Sequence, residues 1–112
     1  MSMSLENPGY DIGFIGQYVC IYHDKIDFPV RFPAVTSTSL ALDLAEMLRK
    51  AMPRSYISVE PIALFSTDRV ETDAVTERIK RRVIEARKAE NPGKAFLQGI
   101  GYWPQAAQTG KE

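Results

Sequence analysis

The stretch from Gly13 to Phe32 constrains this chain more than any other. Residues 13–23 (GFIGQYVCIYH) are rich in β-branched and aromatic types. Residues 26–32 (IDFPVRF) alternate strictly, with Ile26, Phe28, Val30 and Phe32 on one face and Asp27, Pro29 and Arg31 on the other. Successive strand side chains point to opposite faces, so the two runs predict a β-hairpin turning at His23-Asp24-Lys25. Register follows from joining the more aliphatic faces: His23 opposite Ile26, Ile21 opposite Phe28, Val19 opposite Val30 and Gln17 opposite Phe32. Pro29 and Pro33 lack an N–H, which assigns the second strand to a sheet edge.

That register leaves a second face on the hairpin, carrying Phe14, Gly16, Tyr18, Cys20 and Tyr22 with Pro29, Arg31 and Pro33. Tyr18 is expected across from Arg31, as a cation–π pair. An aromatic stripe is more apolar than a solvent-facing surface requires. Three coverings are open. Residues 95–103, with Phe96, Ile100, Tyr102 and Trp103, fold back over the face as a last strand. A protein partner or a second copy docks there, with Phe14, Tyr18, Tyr22 and Arg31 as anchors. Or the rings serve as a stacking platform for single-stranded nucleic acid.

The rest of the chain supplies helices and one more strand. Thr36-Ser37-Thr38-Ser39 is a run of N-cap types. Leu40, Ala41, Leu44, Met47, Leu48 and Ala51 then form a stripe over helix 39–52, which Pro53 ends. Residues 56–65 (YISVEPIALF) read as a strand whose apolar phase changes at Pro61, which predicts a bulge or bend there. Asp68 and Glu71 have the spacing of a capping box. They open a second helix that ends by Asn91-Pro92-Gly93, with Val75, Ile79, Val83 and Ala86 as its core stripe. The expected fold is α+β, a two-layer sandwich of order β-β-α-β-α(-β). It has a three- or four-stranded, largely antiparallel sheet with two helices on one face. At 112 residues the chain is one domain, with an ordered core of about 12–103 and tails at 1–11 and 104–112.

The formal net charge is zero, which argues against a body built wholly for nucleic acid or an anionic membrane. Basic residues nevertheless gather in the second helix. Arg78, Arg81, Arg82 and Lys88 are the candidate nucleic-acid contacts, with Lys80 and Arg87 near them. They surround the helical wheel rather than forming one stripe. Glu77–Arg81 and Arg81–Glu85 pairs on a solvated helix account for them more simply. Ile84 lies roughly 140° from the centre of the core stripe and is a further partner-site candidate.

Chemistry is sparsely provided. The chain has one cysteine and one histidine, and Cys20 and His23 point to opposite faces of one strand. A Cys–His nucleophile pair and a usual zinc site are therefore not expected. Gly99-Ile100-Gly101 is too short for a dinucleotide fingerprint. No catalytic residue, cofactor or metal is assigned. A pocket walled by Tyr102 and Trp103 is the small-molecule alternative. With no basic-apolar leader, no long apolar run and no possible internal disulfide, a cytoplasmic location is expected. The reading that fits best is a protein-interaction or regulatory module, with a second copy of itself as the expected partner. A nucleic-acid-binding module is the alternative, and a small enzyme or ligand carrier comes after it.

Overall fold

A computed structural model of the chain describes residues 13–22 and 29–101. The elements run β1 (Phe14–Tyr22), β2 (Val30–Arg31), α1 (Thr38–Ala51), β3 (Tyr56–Leu64), a 3-10 turn (Ser66–Asp68), α2 (Arg69–Ala86) and α3 (Pro92–Gly99). The three strands form one antiparallel sheet of order β2-β1-β3, an α+β architecture with the helices on one side. The strand with the prolines is indeed an edge.

The hairpin faces are as the alternation predicts, but the register is two residues away. Ile21 pairs with Val30 and Cys20 with Arg31, and the Phe32 N–H donates to the Val19 carbonyl at 2.9 Å. A shift of two residues keeps every side chain on its face, so the apolar pattern cannot distinguish the two registers. The expected partners Ile26 and Phe28, and His23, lie outside the described residues. Beyond Phe32 the edge bulges. Gln17 exchanges two 2.8 Å backbone bonds with Val35, so three residues on one side match two on the other. Pro33 sits in this bulge, where no N–H is needed, and the extra residue turns Val35 into the core alongside Phe32.

No bulge occurs at Pro61. β3 pairs with β1 without interruption from Phe14–Leu64 to Tyr22–Tyr56. Odd residues of β1 direct their backbone groups at β2, as Gln17 and Val19 do, so the even residues serve β3. On β3, therefore, Ile57, Val59, Pro61 and Ala63 point outward. Pro61 costs no ladder bond there, and its ring stands where an incoming strand would seek an N–H. The outward Ile57 carbonyl accepts from Arg49 Nη2 at 3.0 Å. The phase change at Pro61 has another cause. Ile57 and Val59 face the helices, whereas Ile62 and Leu64 belong to the second face of the sheet.

α1 lies on the sheet against β1 and β3, burying Leu40, Ala41, Leu44, Ala45, Met47 and Leu48. Ser37 caps it, its hydroxyl accepting the Leu40 N–H at 3.1 Å. α2 contributes the expected Ile79, Val83 and Ala86, plus Thr72 and Thr76, which are also buried. Thr76 Oγ1 accepts the Thr36 N–H at 2.9 Å and donates to the Thr72 carbonyl at 2.7 Å, tying α2 to the entrance of α1. The Asp68–Glu71 capping box is absent. Asp68 is itself in a helical conformation (φ −89°, ψ 0°) because the 3-10 turn runs straight into α2, whereas a capping side chain needs extended backbone.

The last strand is replaced by a helix. α2 has already ended at Ala86, and Asn91-Pro92-Gly93 starts the next element instead: Asn91 Oδ1 accepts the Lys94 N–H at 3.2 Å, and Pro92 occupies the first helical turn. Gly93, Phe96 and Leu97 face the core at helical spacing. The Phe96 ring meets Phe32 edge-on, centroids 6.0 Å apart, so this segment covers the helix side of the sheet rather than its second face. Tyr102 and Trp103 lie outside the described residues. Gly93 permits the close crossing of α3 on α1, since a Cβ there would stand 2.4 Å from the Met47 carbonyl oxygen and 2.6 Å from Ala51 Cβ.

Two expectations follow. Gly93→Ala pushes α3 off α1 and lowers stability by about 1–3 kcal/mol, read as a lower urea midpoint with an unchanged slope. Pro61→Val leaves the fold stable but opens the β3 edge, and light scattering during a thermal ramp should rise earlier than for the wild type.

Candidate functional site

The second face of the sheet is organised by one carboxylate. On β3 the even positions Tyr56, Ser58 and Glu60 stand opposite Tyr22, Cys20 and Tyr18 of β1. Glu60 Oε1 accepts from the Tyr18 hydroxyl at 3.0 Å. Glu60 Oε2 accepts from the Tyr22 hydroxyl at 3.0 Å and from Ser58 Oγ at 2.7 Å. Two strands thus hold one anion, and the anion holds two aromatic rings down on the sheet. Cys20 lies beneath this layer, 1% exposed.

The electrostatics are consistent with an ionised Glu60. Hydrogen bonds from Ser58, then Tyr18 and Tyr22, hold its carboxyl below the usual carboxylate range, and Arg31 adds to the effect. The Tyr22 hydroxyl, beside the Cys20 thiol and bonded to Glu60, is pushed up to about 12. Tyr18 is raised by its bond to Glu60. With three of roughly four acceptor positions filled, Glu60 serves as a fixed negative charge rather than a proton-transfer base.

Four of the sequence-selected residues meet on this face. The Arg31 guanidinium lies over the Tyr18 ring, 5.5 Å from its centroid, although Cys20 rather than Tyr18 is its cross-strand partner. Phe14 carries Arg69 over its ring at 4.9 Å, and Arg69 also pairs with Asp73 at 3.3 Å. Tyr22 packs against Tyr56 with ring centroids 5.7 Å apart. Tyr22 is 40% and Tyr56 68% exposed, and Ile62 on the same face is exposed as well. Toward the far end Leu64 closes over Gly16, where an added Cβ would stand 3.0 Å from Leu64 Cδ1.

Ile84 is not part of this face. It stands on the outer side of α2, 49% exposed, beside a cleft of about 390 Å³ between α1 and α2 that Lys80 and Arg87 also line. The basic residues of α2 are dispersed. Arg82 Nη1 donates to the Gly99 carbonyl at 3.1 Å and so caps α3. Lys88 pairs with Glu85 at 3.3 Å and Arg87 with Asp43 at 3.0 Å. Arg78 and Arg81 are exposed. Neither Glu77–Arg81 nor Arg81–Glu85 is among the ion pairs of the described residues.

Glu60, Ser58 and Tyr56 are the residues that sequence reasoning misses. Their signal is the period-two run Tyr56, Ser58, Glu60, which becomes visible once the strand is taken as continuous through Pro61.

The linkage has a definite sign at each end of the pH scale. Glu60 has a lowered folded pKa, so its contribution is complete above its ordinary value of 4.5 and is lost as the pH falls below it. Tyr22 has a raised one, so its contribution is complete below 10.0 and is lost as the pH climbs toward about 12. Melting temperatures should therefore fall at both extremes, and Glu60→Gln should flatten the acid-side decline. An unchanged acid slope in Glu60→Gln would show that the carboxylate does not tie the strands.

Compared with known proteins, the chain matches no family model, no curated protein and no solved structure.

Proposed function

We propose that this protein is a small interaction module that docks a protein partner through the tyrosine–glutamate face of its sheet. The observation that carries the reading is the exposure of Tyr22, Tyr56 and Ile62 on the side of the sheet away from the helices. Tyrosine and arginine anchors over apolar surface are typical of the centres of protein interfaces. Glu60 immobilises the Tyr18 and Tyr22 rings in advance, which lowers the ordering cost that binding would otherwise carry.

The same observations weigh against nucleic acid. An ionised carboxylate in the middle of the aromatic layer repels phosphate. Of the basic candidates on α2, Arg82 and Lys88 already serve contacts within the fold.

A photo-reactive phenylalanine analogue tests the reading in cells. Placed at Tyr56 it should form adducts with protein; placed at Arg81, on the outer side of α2, it should form few or none. Adducts from position 81 alone would refute the sheet-face reading.

A further inference from the structure

We infer that the occupant of this face is a second copy of the chain, related by a twofold axis running along β1; the inference rests on the sheet-face reading. The argument is one of charge placement. β2 and β3 flank β1 on opposite sides. Arg31 is on β2 and Glu60 on β3, and both belong to the second face. The face therefore carries Arg31 on one side and Glu60 on the other, with the Phe14, Tyr18 and Tyr22 side chains between and the Asp73-paired Arg69 at its Phe14 end.

Two such faces fit each other in one orientation. An axis along β1 lays β2 of one protomer over β3 of its partner and β1 over β1. Each Arg31 then faces the partner's Glu60, twice by symmetry, as an isologous interface requires. An axis across the strands instead stacks β3 on β3 and sets like charges on the same side. The distances are compatible. Packed sheets lie ~10 Å apart, and Arg31, level with Cys20 and Ser58, is offset from Glu60 by two residues, ~7 Å along the strand. The α-carbons are then ~12 Å apart, which an extended arginine and a glutamate span. Glu60 has an acceptor position left for the incoming guanidinium. Arg31 is exposed, and its side chain rests on the Tyr18 ring face with neither a hydrogen bond nor an ion pair to break among the described residues, so it can extend toward the partner.

Area sets the strength. The two nine-residue strands β1 and β3, with the two-residue β2 and the short edge after it beside them, offer roughly 30 Å by 10–13 Å. Two such faces bury on the order of 800 Å², in the range of weak and transient contacts. The dimer is accordingly weak, reversible and sensitive to salt, because its specificity lies in exposed ion pairs.

Sedimentation velocity of the full chain over a concentration series tests this. The wild type should dimerise in the micromolar range and weaken as salt is added. Arg31→Glu should weaken it about tenfold or more. That variant decides the matter, because the side chain is exposed and lies outside the buried core. The double variant Arg31→Glu/Glu60→Arg, where it folds, should regain dimer that Arg31→Glu alone has lost. A chain that stays monomeric, or a dimer indifferent to Arg31→Glu, overturns the second-copy inference. In that case adducts at Tyr56 with a different protein would leave the sheet-face reading standing, and the absence of any Tyr56 adduct would remove it too.

Discussion

Strand β1 is hydrogen-bonded on both edges, along its whole length to β3 and through Val19, Gln17 and Ile21 to β2 and the bulged segment after it. A strand paired on both sides cannot slide without breaking two ladders at once. Its odd residues Val19 and Ile21 are therefore committed to the helix side, where both are fully buried. α1 rests on that side, and α2 and α3 are positioned in turn through Thr36–Thr76 and Phe32–Phe96. The even residues are equally committed to the other side. The aromatic layer is thus a direct consequence of how the core is built.

That second face combines a polar centre with apolar margins. Two tyrosines and a serine converge on Glu60, so each buried part of the ring layer ends in a satisfied hydroxyl. An ionised carboxylate that accepts three hydrogen bonds stiffens the layer and fixes its charge in one place. The opposite charge, Arg31, is held on the other side of β1 by a ring face. A surface with its two charges separated across a central strand has a preferred relation to its own copy, which a uniformly apolar patch does not.

The helix side depends on close approach. α3 is only eight residues long and would be marginal by itself. It persists because Asn91 caps it, Pro92 presets its first turn, and Gly93 lets its backbone lie against Met47 and Ala51 of α1. Phe96 and Leu97 are then delivered into a core already bounded by Phe32 and Leu48. Arg82 closes the other end through the Gly99 carbonyl, which places a basic residue of α2 in the service of the fold.

Local signals in the chain were sufficient for much of this. Alternation at 26–32 and the composition of 13–23 specified the hairpin faces, and prolines 29 and 33 placed one strand at the edge. The Thr36–Ser39 run and the leucine spacing after it located α1 to within a residue. Phe14, Tyr18, Tyr22 and Arg31 were legible as one surface because strand periodicity fixes faces whatever the register. The helical spacing of Gly93, Phe96, Leu97 and Ile100 was also present, but the aromatic and glycine content of 95–103 resembled a strand. Three matters were decided only in three dimensions. The hairpin register was one, since a two-residue shift preserves every face and only the ladder of hydrogen bonds chooses. The location of the bulge was the second, because Pro33 and Pro61 both lack an N–H and only the strand pairing puts one in a bulge and the other in an uninterrupted ladder. The third was Glu60, which becomes the centre of the site solely because β3 pairs with β1, setting Glu60 beside Tyr18 forty-two positions away in sequence and bringing Tyr18 and Tyr22 to its two oxygens.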